Sequence, residues 1–320
     1  MGQQAERAAV VGTRVVGESA GRVAEVRRAV AERLVGRERE LELVLGAVAA
    51  GRDLLLEGPP GTSKTTVLQA ITDVWGVPFV LVEGNADLTP ARLVGHHDPA
   101  RVLQEGYSAE TFVDGPLVRA MREGGFLYIE EVNRAPDDTL NSVLTAMADR
   151  MITVPRAGEI VAAPTFRVVA SMNPFDNVGT SRLSGAMMDR VCRLAVDYQS
   201  EAEELAIVAL RAPNTHGEIP DDTVARLHAD AVALTRSTRL HPDVRQGSSV
   251  RGAIDTSLIA LELLAMRDDE HYPETVWDAM LLGLSGRIHV DEASGRRPEA
   301  ILREIWEDRF VLKLQERAPG

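Results

Sequence analysis

The run DLLLEGPPGTSKTTVLQAI, residues 53–71, constrains this chain more than any other stretch. Three leucines between two acids read as a short buried strand. After the loop, Val67, Leu68, Ile71, Val74 and Trp75 recur at helical spacing, and Gly76 with Pro78 closes the helix. A strand that enters a helix through GPPGTSKT is a phosphate-binding loop. Gly58 and Gly61 permit the tight turns, Pro59 and Pro60 lie between them in the nucleotide-binding loop, and the N–H groups of Thr62, Ser63, Lys64, Thr65 and Thr66 can cradle phosphate oxygens at the helix N-terminus. Lys64 is expected to reach the β- and γ-phosphates of ATP, and Thr65 to offer its hydroxyl to Mg²⁺. Ser63 departs from the usual pattern, since a glycine normally precedes the lysine. A Cβ there implies backbone strain or a narrower pocket.

Short apolar runs at 53–57, 78–82, 126–130, 167–171 and 193–197 alternate with helical patterns, among them the stripe Leu140, Val143, Leu144 and Met147. That is the form of an α/β domain with a mainly parallel sheet flanked by helices. Beyond about residue 199 the alternation stops. The segments 201–212, 221–237, 249–266, 274–286 and 298–315 all carry helical periodicity, which predicts a smaller all-helical lid domain over 199–320. Residues 1–30, with Val23, Val26, Val30 and Leu34 on one helical face, read as a leader to an α/β domain over 31–198.

About 65 residues past the loop comes FLYIEEVNRAP, a strand ending in Glu130 and Glu131. In a P-loop ATPase two acids here divide the work: the first organises Mg²⁺, often through its water shell, and the second orients the attacking water as general base. The first is normally aspartate, and Glu130 is one methylene longer. The next strand, FRVVASMNP, ends in Asn173, whose amide can hydrogen-bond the nucleophilic water or the γ-phosphate.

Taken in order, GRERELELVL, GPPGTSKT, FVDGPLVRAMREGGFLYIEEVNRAP, ASMNPFDNVGTSRLSGAMMDR and GSSVRGA resemble the motifs of MoxR-like AAA+ ATPases over roughly residues 31–290. The DGPL to EEVNRAP stretch and ASMNP are similar to the subgroup of CbbQ and NorQ proteins. The resemblance implies a homo-oligomeric ring, a hexamer, that uses ATP to remodel or activate a protein client or to assist its metal or cofactor maturation, often with a von Willebrand factor A domain partner. It implies that Arg190 is an arginine finger acting on a neighbour's γ-phosphate. Arg251 would contact phosphate within its own chain, and Val35 and Gly36 would pack on adenine. It also implies a helix-2 insert at about 96–115 and a second hairpin at about 150–166, both facing the pore or a partner. Where family members have Phe after the Asp-Arg pair, this chain has Val191.

Composition narrows the alternatives. No apolar stretch approaches the roughly 20 residues of a membrane span, and the N-terminus lacks the form of a secretory signal, so no membrane insertion and a cytoplasmic location are expected. A net charge of −13 without a basic run argues against nucleic acid. Cys192, the single cysteine, reads as a small buried hydrophobe. GESAG at 17–21 fits a nucleophile-elbow pattern around Ser19 but lacks the strands that should precede it. His96 and His97, being adjacent, point to opposite sides of extended chain and suit one metal poorly. The stripe Leu258, Leu261, Leu264, with Met266 nearby, reads as lid core. A second functional class fits the same residues: a nucleotide-controlled binding or scaffold protein with little hydrolysis, supported by the departures at Ser63 and Glu130.

Overall fold

The computed structural model describes residues 25–26, 28–29, 34–174, 182–267 and 271–312. Ser19 of GESAG, Val23, Val30 and most of the leader lie outside them. The chain divides into two compact units, one of Met1–Pro59 and Ser63–Asp197, the other of Pro60–Thr62 and Tyr198–Gly320.

The first unit is built on five parallel strands, β1 (Asp53–Glu57), β2 (Phe79–Glu83), β5 (Phe126–Glu130), β8 (Arg167–Met172) and β9 (Val191–Ala195), in the order β2-β5-β8-β1-β9. Side-chain alternation sends each strand's residues to two cores. Leu54, Leu56, Phe126, Tyr128 and Val169 pack with α1 (Glu38–Ala49) and α2 (Lys64–Trp75). Leu55, Val80, Val82, Leu127, Ile129, Val168 and Ala170 pack on the other side with α5 (Pro116–Glu123) and α6 (Asp137–Asp149). Burying both faces explains why the strands read as near-continuous apolar runs. Each fully buried Leu, Val or Phe contributes about 1.5–3 kcal/mol by removal from water.

Two of the strands are displaced from the expected spans. β2 starts at Phe79; Pro78 before it has no N–H to give to a ladder, and its carbonyl takes the Phe126 N–H. β9 follows α7 (Gly185–Arg190) without a loop, two residues earlier than its apolar pattern suggests. The reading of Cys192 as buried is overturned: it is exposed on β9, an edge strand with a neighbour on one side only.

Between β2 and β5 the chain makes α3 (Pro90–Val94), β3 (Gly95–His97), α4 (Pro99–Glu105) and β4 (Phe112–Asp114) before α5. Thr89 and Asp98 cap α3 and α4, and a proline opens each of α3, α4 and α5. β3 and β4 pair antiparallel, with α4 between them. β6 (Met151–Val154) and β7 (Gly158–Val161) form a second hairpin. The two excursions touch: a ring nitrogen of His97 lies 3.1 Å from Pro155 O, and Arg156 sits over the Tyr107 ring at 4.8 Å. His97 is half-buried and His96 exposed, the two-sided placement expected of neighbours in extended chain.

The second unit is mostly helical: α8 (Glu201–Arg211), α9 (Asp221–Leu240), α10 (Val250–Met266), α11 (Tyr272–Leu284) and α12 (Pro298–Glu307). It is not all-helical, because β10 (Val244–Gln246) pairs antiparallel with β11 (His289–Val290), strands too short to show alternation in sequence. Ser200 and Glu203 form a reciprocal capping box at the start of α8. On α10, Leu261 and Leu264 are core, whereas Leu258 and Met266 are exposed, contrary to the expected stripe. The buried face instead runs through Val250, Ala253, Ser257, Ala260, Leu261 and Leu264, leaving Leu258 about 100° away. No described helix is long and apolar enough to cross a membrane.

One buried acid anchors the sheet. Asp53 accepts the Val168 N–H at 2.7 Å, joining the first residue of β1 to β8. Burial holds its carboxyl above the ordinary range, against the opposing pull of that N–H and of Arg150, Arg167 and Arg52. A raised folded value means that the proton binds the folded chain more tightly. That stabilisation is present below the ordinary value of 3.8 and is lost as pH rises through the folded one. Asp53→Ala, which orphans the Val168 N–H, should therefore cost about 1–3 kcal/mol in urea unfolding. Asp53→Asn keeps an acceptor and removes the charge, so its stability relative to the parent should improve as pH is raised from about 3 to about 7.

Candidate phosphate-binding site

The loop leaves β1 at its carboxyl end, where a parallel sheet opens its crevice. Gly58 donates its N–H to Met172 O at 3.1 Å, and a Cβ on Gly58 would collide with Val196 O. Only glycine fits between the ends of β8 and β9. Gly61 has φ 77°, another position that favours glycine. Ser63, which caps α2, stands in the left-handed region at φ 63° and ψ 20°. The strain anticipated from its Cβ is thus present in the backbone.

Past this turn the first residues of α2 point their side chains at the same crevice. Lys64 Nζ donates to Gly58 O at 2.9 Å and Pro59 O at 2.8 Å, so the ammonium lies across the loop's own carbonyls. Thr65 Oγ1 lies 3.4 Å from Glu130 Oε1, at the end of β5, and 3.5 Å from the Tyr128 hydroxyl. Thr65 and Glu130, 65 residues apart in sequence, thus meet. Glu131, at φ 53°, is also left-handed, and its carboxylate pairs with Arg134 Nε at 3.1 Å. Its backbone is approached closely by Gly84, where a Cβ would strike Glu131 O, and Gly84 N–H bonds Glu130 O at 2.7 Å. Asn173 is half-buried immediately after β8, one residue past the carbonyl that holds Gly58.

Arg190 is exposed at the end of α7, with Nη1 on Ala186 O of its own helix at 2.9 Å. Val35 and Gly36 are half-buried just before α1. Arg251 is exposed in the first turn of α10 and belongs to the second unit together with residues 60–62 of the loop; a Cβ on Gly61 would lie 3.5 Å from its Cδ.

Several residues in the site escaped sequence reasoning. Tyr128 is fully buried and donates to Ser171 Oγ at 2.9 Å, linking β5 to β8 beneath Thr65; burial pushes its phenol up. The signal was available, since a polar-tipped aromatic two residues before Glu130 shares its side of the strand. Arg37, 4% exposed, donates to Asp197 O at 2.6 Å and to Glu40 at 2.8 Å, pinning the chain just after Gly36. A further signal lies in composition: of 35 basic residues only Lys64 and Lys313 are lysines.

The donor set fits a magnesium-bound triphosphate. The glycine cradle excludes a Cβ, successive amides open α2, and one hydroxyl with one carboxylate supplies the few hard oxygens that magnesium takes from protein. Among the described residues no group of three or more His, Cys, Asp or Glu side chains could hold a metal ion by itself.

Residues 53–191 match the AAA domain family, dynein-related subfamily. The uncharacterized protein YojN of Bacillus subtilis (strain 168) is 32% identical over 232 residues, covering 70% of this chain and 74% of that protein. The uncharacterized protein SERP0979 of Staphylococcus epidermidis is 31% identical over 212 residues, covering 65% and 78% respectively. Among solved structures, a mutant form of RuvB from Thermotoga maritima superposes with a TM-score of 0.51 at 19% identity, covering 78% of this chain and 71% of that one. That likeness is one of fold.

The left-handed Ser63 provides a test of the loop geometry. Ser63→Gly removes the Cβ penalty and should leave stability unchanged or raise it by up to about 1 kcal/mol. Ser63→Val, β-branched at the same φ, should lower it by at least about 1 kcal/mol. Urea unfolding of the three proteins would check both.

Proposed function

Because residues 53–191 carry a AAA domain of the dynein-related subfamily, we propose that the chain binds ATP with magnesium in the loop between β1 and α2 and hydrolyses it. The observation that carries this reading is the meeting of Thr65 and Glu130 at 3.4 Å beside a glycine loop that ends in Lys64. The amides of residues 61–66 and the Lys64 ammonium hold the phosphates. Thr65 and Glu130 hold magnesium, which when bound neutralises charge on the β- and γ-phosphate oxygens. Glu131 orients a water and takes its proton as that water attacks the γ-phosphorus; the bond to the bridging oxygen breaks, and ADP leaves with phosphate. Asn173 hydrogen-bonds the water or the γ-phosphate from the end of β8. Val35 and Gly36 pack on adenine, and Arg251 contacts phosphate from the same chain.

Within the family, the MoxR-like motifs support a finer reading. The chain assembles as a hexameric ring, in which Arg190 of one subunit reaches the γ-phosphate held by its neighbour. A guanidinium suits this because it stays charged and presents a planar fork of donors. Hydrolysis then drives remodelling, activation or metal-centre maturation of a protein client, with a von Willebrand factor A domain protein as candidate partner. The β3–α4–β4 excursion and the β6–β7 hairpin add exposed surface, including Leu103, Tyr107 and Val161, without adding catalytic groups. They are the proposed client-facing parts.

Lys64→Ala should lose most ATP binding, read with a fluorescent nucleotide; unchanged affinity would place the site elsewhere. Glu131→Gln should retain Mg-ATP and lose turnover, whereas Glu130→Asp should be tolerated. Arg190→Ala should bind ATP yet hydrolyse it roughly 10³- to 10⁵-fold more slowly. Mixing Arg190→Ala with Glu131→Gln subunits should recover activity, because each supplies what the other lacks. Co-assembly without recovery would rule out action in trans.

A further inference from the structure

Arg251 stands in an unusual setting. It lies in the first turn of α10, where no acidic residue offsets the positive end of the helix dipole, and it makes no ion pair among the described residues. Its side chain is exposed, so what the fold fixes is the point from which it extends, and that is set by the backbone of the turn that precedes it. That turn, Gly247–Ser249, is held with unusual completeness. Ser248 is buried at 1% exposure; its N–H donates to Thr238 Oγ1 at 3.0 Å, and its carbonyl accepts from Arg239 Nε at 2.6 Å. The Gly247 carbonyl accepts from the Tyr198 hydroxyl at 3.4 Å. A Cβ on Gly247 would lie 2.6 Å from the Arg239 backbone, so the turn rests directly on α9.

Arg239 is the common member of this set, and it is itself fixed on three sides. Its Nε bonds Ser248 O, its Nη2 pairs with Glu204 Oε1 at 2.7 Å, and its guanidinium carbon lies 3.9 Å above the Tyr198 ring. Glu204 is 1% exposed; its second oxygen takes Arg236 Nη1 at 3.0 Å, which also reaches Gln199 O. A carboxylate this deep is costly to desolvate and persists only with its partners in place. A planar fork that binds a carboxylate and a carbonyl while stacking on an aromatic ring is a task lysine cannot perform.

We propose that Arg239, backed by Glu204 and Tyr198, is a positioning residue for Arg251: it fixes the Gly247–Ser249 turn so that the guanidinium at the head of α10 is presented to phosphate. The inference rests on the reading of Arg251 as a nucleotide contact.

Arg239→Lys tests it, made alone and together with Arg251→Ala. Alone it should slow ATP turnover roughly 5- to 50-fold, the range expected when a coupled partner is displaced. In the Arg251→Ala background the same change should add less than about 2-fold, since the residue it positions is gone. Hydrogen exchange at residues 247–249 should quicken in Arg239→Lys without nucleotide, while exchange across α11 stays as in the parent. Tyr198→Phe, which removes only the hydroxyl bond to Gly247 O, should shift turnover in the same direction by less, and serves should Arg239→Lys not fold. An equal loss in both backgrounds, or unchanged exchange at 247–249, overturns the positioning role. If Arg251→Ala alone keeps wild-type binding and turnover, the reading of Arg251 itself falls and takes the inference with it. That result is told apart by the single variant.

Discussion

The narrow passage at Gly58 governs the geometry of everything chemical in the first unit. Its N–H is held by Met172 O from β8, and its α-carbon lies against Val196 O beyond β9, so the chain can leave the sheet there only without a side chain. The strand order makes this passage productive. β1 lies between β8 and β9, and β8 lies between β1 and β5. Neighbouring strands are about 4.8 Å apart, so the acids at the end of β5 stand about 10 Å from the loop's departure point. The start of α2 reaches across that gap, bringing Thr65 Oγ1 to within 3.4 Å of Glu130. Tyr128 and Ser171 fill the floor of the gap with a hydrogen bond between β5 and β8.

Much of this was legible in sequence because it depends on local chemistry. The strand–loop–helix run, the acids that close an apolar strand and the amide before Pro174 are each visible within a dozen residues, and buried parallel strands announce themselves as unbroken apolar runs. What escaped was the residues whose meaning is set by strand neighbours. Tyr128 looks like one more apolar strand residue until β8 brings Ser171 beside it. Arg37 looks like a surface charge until the chain returns 160 residues later with Asp197 O. Cys192 was misread for a related reason: its neighbours in sequence are typical of a covered strand, but its strand is last in the sheet. In the second unit, helical period located the helices well, yet β10 and β11, of three and two residues, are shorter than one cycle of any pattern worth counting. Arg190 and Arg251 were singled out by resemblance alone, because no local rule distinguishes either from a solvated surface charge.

Both left-handed residues flanking the crevice carry side chains, and each arises from a packing demand. At Ser63 the chain turns from the loop into α2 in one residue. At Glu131 it leaves β5 at once into the short helical turn Val132–Arg134, beside Gly84, just past β2, where a Cβ would strike the Glu131 carbonyl. A left-handed non-glycine residue costs on the order of 1–2 kcal/mol. The surrounding cores, not the residues themselves, offset that cost. Glycine at Ser63 would relieve it locally, so retention of a hydroxyl there is a choice the fold can bear rather than one it requires.

The basic residues of this chain carry a further constraint. With 33 of its 35 cations arginine, the sequence uses guanidinium for almost every task. Arg37 and Arg239 satisfy backbone carbonyls from buried and half-buried positions, Arg150 covers the Phe166 ring, and Arg296 bridges two carboxylates. These are tasks for a planar fork with several fixed donors. Position 64 asks for something different. The group there lies within 2.9 Å of two consecutive carbonyls of its own loop. A compact ammonium on an unbranched stem can stand against these carbonyls and swing to a phosphate oxygen, because its three donors are equivalent under rotation. A guanidinium is wider, its donors lie in one plane, and turning them toward a new acceptor means moving the whole fork. A lysine at position 64, in a chain whose cations are otherwise almost all arginine, suits the proposed role of that position in holding phosphate.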